Sequence, residues 1–124
     1  MAEHNDLGAW GEDKAQEYLE SEDYVILERD WKDGKRDLDI IAETPDGELI
    51  VFVEVKTRTV NDGQMPEEAV DLAKIKNLRS AANVYVKTYE VDKPLRFDII
   101  SITGSDGIVQ RFKHIEDAFN PLLF

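Results

Sequence analysis

No cysteine occurs in the 124 residues of this chain. Disulfide frameworks, thiolate metal sites and cysteine nucleophiles are therefore excluded. Histidine is nearly as scarce: His4 and His114 stand far apart, with no metal-ligand spacing between them. No run approaches the roughly 18 apolar residues of a membrane span. The first ten residues, MAEHNDLGAW, lack the basic start and apolar stretch of a secretory signal. These absences predict a cytoplasmic protein with no membrane partner. Neither a glycine-rich phosphate loop nor a serine-histidine-aspartate order is present, so the usual signatures of nucleotide hydrolases and acyl-transfer enzymes are missing.

What is abundant is charge, mostly negative. A hydrophobic content of 42% beside a charged content of 34% predicts one globular domain over residues 1–124, with a heavily charged surface. The net charge of −12 argues against indiscriminate nucleic-acid binding, because that affinity comes largely from phosphate neutralisation. The charge is unevenly spread. Residues 1–28 hold nine acids and one base, whereas residues 74–97 hold six bases and two acids. The second stretch is able to meet a polyanion locally, with strong salt dependence.

Periodicity divides the chain into seven elements and a tail. DLGAWGEDKAQEYLESEDY carries a helical apolar stripe of Leu7, Trp10, Ala15, Tyr18 and Leu19, with Asp6 as the expected N-cap. Gly8 and Gly11 weaken that helix, which suggests either close approach by another element or a frayed first turn. YVILERDW (24–31), RDLDIIAE and LIVFVEVKTR read as strands joined by turns at Asp33-Gly34 and TPDGE, an antiparallel meander. A loop leads to a second helix, starting at Pro66 and carrying Ala69, Leu72, Ala73, Ile75 and Leu78 on its apolar side. LRFDIISIT and IVQRFKHI are further strands, and EDAFNPLLF is expected as a short closing helix. Trp10 and Trp31 are expected in the core.

Two apolar strands contain acids. Alternation places Asp37, Asp39 and Ile41 on one face of the second strand, and Phe52, Glu54 and Lys56 on one face of the third. Hairpin pairing then brings Asp39 and Glu54 together. Two carboxylates about 4 Å apart repel by roughly 1–4 kcal/mol, so they need a shared proton, a cationic neighbour or a metal. A Glu54–Lys56 pair on a solvated sheet face is the plain reading, and Glu-x-Lys alone is weak evidence. The alternative uses both acids as oxygen ligands for Mg²⁺ or Mn²⁺, with Lys56 beside the metal for phosphodiester hydrolysis.

Asp39, followed by Glu54-Val55-Lys56, resembles the D…(D/E)-x-K core of restriction-endonuclease-like nucleases. The predicted α-β-β-β-α-β order, an α/β fold with a central mixed sheet flanked by helices, resembles theirs as well. More narrowly, LGAWGEDKAQEYL, RDLDIIA, VFVEVKTR, PEEAV with Lys74 after it, and RFDIISI resemble the bacterial YraN (UPF0102) family, whose fold is similar to archaeal Holliday junction resolvases. One departure is Asp37, where that family usually has glutamate. The resemblance implies Asp39, Glu54 and the Val55 carbonyl as metal ligands, Lys56 as the catalytic lysine and Glu12 as an auxiliary acid. It implies DNA, branched DNA included, as the partner, and a homodimer as one assembly. Arg58, Lys74, Lys76 and Arg79 are candidate phosphate contacts, or an ordinary solvated face. Two other functions fit the same residues: a nucleic-acid-binding module that does not cut, and an acidic protein-interaction domain.

Overall fold

The computed structural model describes residues 3–59, 72–105 and 107–120. In order these form α1 (Glu3–Ser21), β1 (Val25–Asp33), β2 (Arg36–Glu43), β3 (Ile50–Arg58), α2 (Leu72–Thr88), β4 (Leu95–Ser105) and β5 (Ile108–Ile115). The strands make one five-stranded sheet in the order β1-β2-β3-β4-β5. All neighbours are antiparallel except β3 and β4, which run parallel from Ile50↔Leu95 to Arg58↔Thr103. A parallel pair needs a crossover, and α2 belongs to it. The mixed sheet and the α-β-β-β-α-β order match the fold expected from the sequence.

Each face of the sheet is covered by one helix. Ala15 and Leu19 of α1 join Ile40, Ala42, Val51, Val53, Ile100 and Ile102 in one buried cluster, with Trp10 and Tyr18 packed against it. Leu78, Ala81, Ala82 and Tyr85 of α2 join Leu38, Ile41, Ile50, Phe52 and Phe97 in the other, with Trp31 at its edge. Both tryptophans are thus half-buried at the edges of the core rather than inside it. Leu38 lies with Ile41 rather than with Ile40 and Ala42, so the expected alternation of β2 breaks at Asp39. Asp30 stands across from this point on β1, because Arg29 pairs with Ile40 and Trp31 with Leu38. Its φ of 53° interrupts the extended backbone there.

Other boundaries differ from expectation for local reasons. α1 begins at Glu3, so Asp6 lies inside the helix and is not its N-cap. β1 runs on to Asp33, and the hairpin turn is Gly34-Lys35, with Gly34 at φ 63°. Residues 116–120 form a turn and irregular chain rather than a helix, since the Ala118 amide donates to the Phe97 carbonyl and ties the segment to β4. The expected start of the second helix at Pro66 lies outside the described residues.

A buried polar network fastens α1 to β4 and β5. Asp98 is fully buried and accepts from Arg96 (2.9 and 2.8 Å) and from the Asp117 amide (3.0 Å). Its Oδ2 also lies 2.7 Å from His114 Nε2, and the other ring nitrogen is 2.9 Å from the Tyr18 hydroxyl. Burial alone raises the Asp98 pKa, but the hydrogen bonds from His114 and Arg96 prevail and hold it below the usual carboxylate range.

Candidate functional site

The β2–β3 pairing runs from Glu43↔Ile50 to Ile40↔Val53. Asp39 and Glu54 come next, where the regular pairing ends. There the Val55 amide donates to Asp39 Oδ2 at 2.9 Å, which fixes the Asp39 carboxylate against β3. Glu54 is buried, with only 6% of its side chain exposed. The strands therefore bring Asp39, Glu54 and Lys56 together as their spacing predicts.

Both flanking helices reach this point. From α1 comes Glu12; the closest oxygens of Glu12, Asp30 and Asp39 all lie within 4.8 Å of one another. Gly11 makes that approach feasible, because a Cβ at this position would collide with Thr57 Oγ1 on β3. Gly8 meets nothing comparable, so only one of the two glycines is explained by close packing. Arg29 holds Glu12 from the side, at 3.6 Å from its carboxylate and 2.7 Å from Asp13. On the opposite face, Lys74 of α2 lies 3.6 Å from Glu54 and 4.0 Å from Asp37. Lys56 Nζ stands 3.9 Å from Glu54.

The electrostatics follow from burial and from like charges at close range. Burial, then the Asp39 charge and the hydrogen bond with Asp39, push the Glu54 carboxyl up to about 8. Lys74 and Lys56 oppose this without prevailing. Burial, then Asp39 and Asp30, push Glu12 up to about 7 against the pull of Arg29. Burial alone lowers the Lys74 pKa, but Glu54, Asp37 and Asp39 outweigh it and keep its ammonium protonated. Burial and neighbouring acids thus raise both carboxyls toward neutrality, and a cation would replace their protons.

Asp30 is absent from the sequence-based site. Its signal was the hairpin register: a two-residue turn at Gly34-Lys35 pairs Asp33 with Arg36, and counting back puts residue 30 opposite residue 39. Lys74 stands apart from Lys76 and Arg79. Positions 74 and 76 differ by about 200° around a helix; the first faces the carboxylates, while the other two border a groove on the far flank of α2. Arg58 donates to the Thr57 carbonyl at the end of β3.

Residues 11–102 match the family described as "Uncharacterised protein family UPF0102". Similar curated proteins include a UPF0102 protein of Bacteroides fragilis, 50% identical over 124 residues and the full length of both chains. One from Bacteroides thetaiotaomicron is 49% identical, again over both full lengths. One from Flavobacterium psychrophilum is 44% identical over 119 residues, covering 96% of this chain and 98% of that one. Among solved structures, Pyrococcus furiosus SfsA in complex with Ca²⁺ aligns over 82% of this chain and 58% of that one, at 13% identity and a TM-score of 0.28. That likeness is too slight to bear on the site. The matched segment contains Glu12, Asp39, Glu54 and Lys56, relatives are half identical from end to end, and the chain belongs to the UPF0102 family.

Proposed function

We propose that this protein hydrolyses phosphodiester bonds in DNA with a divalent cation, Mg²⁺ or Mn²⁺, as cofactor, and that branched DNA is its preferred substrate. The observation that carries the reading is the meeting of Asp39, Glu54 and Lys56 where the β2–β3 pairing ends, with Glu12 and Asp30 converging on Asp39. The donors fit the cation: all are oxygens, the choice of a hard ion. Asp39 and Glu54 would hold it, with the Val55 carbonyl as a third ligand. When bound, such an ion polarises a phosphate oxygen and acidifies water.

The chain's own groups supply the rest. The Val55 amide holds the Asp39 carboxylate against β3, which orients it before anything binds. Lys56, with its ammonium 3.9 Å from Glu54, is placed to offset negative charge gathering on a phosphate. Glu12, at about 7, exchanges a proton near neutral pH and suits general acid–base work beside Asp39. Lys74 stabilises ionised Glu54 from the α2 side. The branched-DNA preference is supported by the resemblance to junction resolvases.

The net charge of −12 favours a second reading, an acidic domain that binds a protein partner without cutting DNA. Cleavage of labelled single-stranded, duplex, flap and four-way-junction DNA in Mg²⁺, Mn²⁺ or EDTA decides between them. Metal-dependent cutting that disappears in Asp39→Asn and Lys56→Ala is the expected result. Cutting that persists in both variants points to a contaminant. No cutting by the unaltered protein removes the nuclease reading.

A further inference from the structure

A groove of about 650 Å³ lies on the flank of α2 turned away from Lys74. Its volume falls within the range of small-ligand sites, roughly 300–1,000 Å³. One wall is α2 and the other is the segment after β5, which the Ala118–Phe97 hydrogen bond (2.8 Å) fixes in place. Its lining divides by chemistry. Lys76 and Arg79 bring positive charge from one helix turn, while Asn83 and Asn120 offer amide donors and acceptors. The floor is aromatic: Phe119 lies 5.5 Å from Phe97, which stacks at 5.2 Å on Phe52. Asp117 is the one acid among the lining residues, and its amide is engaged by Asp98.

Cations beside a partly exposed ring and amide groups make a chemistry that fits a phosphate joined to a planar, hydrogen-bonding base. We propose that this groove binds an unpaired nucleotide of a DNA strand, with its phosphate at Lys76 and Arg79 and its base against Phe119. The proposal rests on the reading that the protein's partner is DNA, and it adds a separate contact that selects single-stranded character. A base in a duplex is stacked and paired, so its face is not free to meet Phe119. The cavity is also sized for one small ligand rather than a double helix. Charge complementarity agrees: Lys76, Arg79 and Arg96 line the groove beside one acid, Asp117.

The test is the fluorescence anisotropy of labelled (dT)12 titrated with the full chain in EDTA, where metal-dependent cutting is absent. Lys76→Ala and Arg79→Ala are each expected to reduce the slope of log affinity against log salt by about 0.7. Phe119→Ala is expected to weaken binding about tenfold without changing that slope. Asn83→Asp, on an exposed helix position, adds a negative charge to the groove without touching the core, and is expected to weaken binding at least fivefold. Thymidine monophosphate should compete, and a 12-base-pair duplex should compete at least tenfold less well than (dT)12. Equal competition by duplex, or unchanged (dT)12 binding in folded Asn83→Asp and Phe119→Ala proteins, overturns the proposal. Groove-dependent binding in a protein that cuts nothing supports it while removing the nuclease reading. Cutting with no groove-dependent binding does the reverse.

Discussion

Replacing Glu54 by glutamine should stabilise the metal-free protein at alkaline pH and hardly change it in acid. The Glu54 carboxyl is raised from 4.5 to about 8 by burial first and Asp39 second. Each unit is about 1.4 kcal/mol, so ionised Glu54 costs the native state on the order of 4–5 kcal/mol above pH 8. Glutamine is close in shape to the protonated acid and carries no charge for Asp39 to repel. Some of the gain is lost because Lys74 and Lys56, at 3.6 and 3.9 Å, lose a charged partner. A net gain of about 2 kcal/mol or more is therefore expected at pH 8.5, equivalent to a rise in Tm of roughly 5–10 °C for a chain of this size.

The sign of the pH dependence follows from proton binding. Between pH 4.5 and about 8 the folded state holds the Glu54 proton more tightly than the unfolded state, so the unaltered protein loses stability as pH rises through that window. The glutamine variant lacks this contribution, and the two curves should meet near pH 5 and separate by pH 8.5. Urea unfolding in EDTA at both pH values measures the gap. A gap that does not change with pH, or a variant less stable than the parent at pH 8.5, would show that the two lysines already neutralise Glu54. The reasoning about the acid pair then fails.

The same protons govern metal binding. Mg²⁺ or Mn²⁺ should raise Tm more at pH 8.5 than at pH 6, because Glu54 at about 8 must give up its proton to act as a ligand. The rise should be absent in Asp39→Asn, and equal shifts at the two pH values would contradict the assignment. Gly11→Val should cost more than 2 kcal/mol and impair the site, since the added side chain drives α1 off Thr57. Gly8→Ala, in open space, should stabilise the helix by up to about 1 kcal/mol; urea denaturation of both variants checks the contrast. Asp98→Ala should cost about 3–5 kcal/mol by removing the buried carboxylate that Arg96, His114 and the Asp117 amide share, again read by urea unfolding.

Much of the architecture was legible because short-range rules produce it. The β-branched stretches of β1 to β3, separated by turn residues, specify a meander; of the apolar side expected for α2, Ile75 and Leu78 are buried, whereas Leu72 and Ala73 in its first turn are exposed. The pairing of Asp39 with Glu54-x-Lys56 was legible for the same reason, since alternation and a short connection leave little freedom. Where the reading slipped, the deciding quantity was a register or a tertiary contact. Placing the turn at Asp33-Gly34 instead of Gly34-Lys35 shifts every cross-strand partner, and that one-residue difference hid Asp30 from Asp39. The tail residues EDAFN look helical in isolation, but the Phe97 carbonyl captures the Ala118 amide and holds them beside β4.

By itself, the sequence determined the order of the elements, the apolar faces that make the core and the two acids and lysine that share strand positions. Each depends on neighbours a few residues apart or one hairpin away. Only the tertiary structure decided that Glu12 meets Asp39 and Asp30, that Lys74 serves Glu54 while Lys76 and Arg79 border a separate groove, and that Glu12 and Glu54 hold protons near neutrality. Those outcomes depend on how closely each helix settles on the sheet, and on how much water it excludes from the carboxylates beneath. Packing sets both, through contacts such as Gly11 on Thr57 that join residues far apart in the chain.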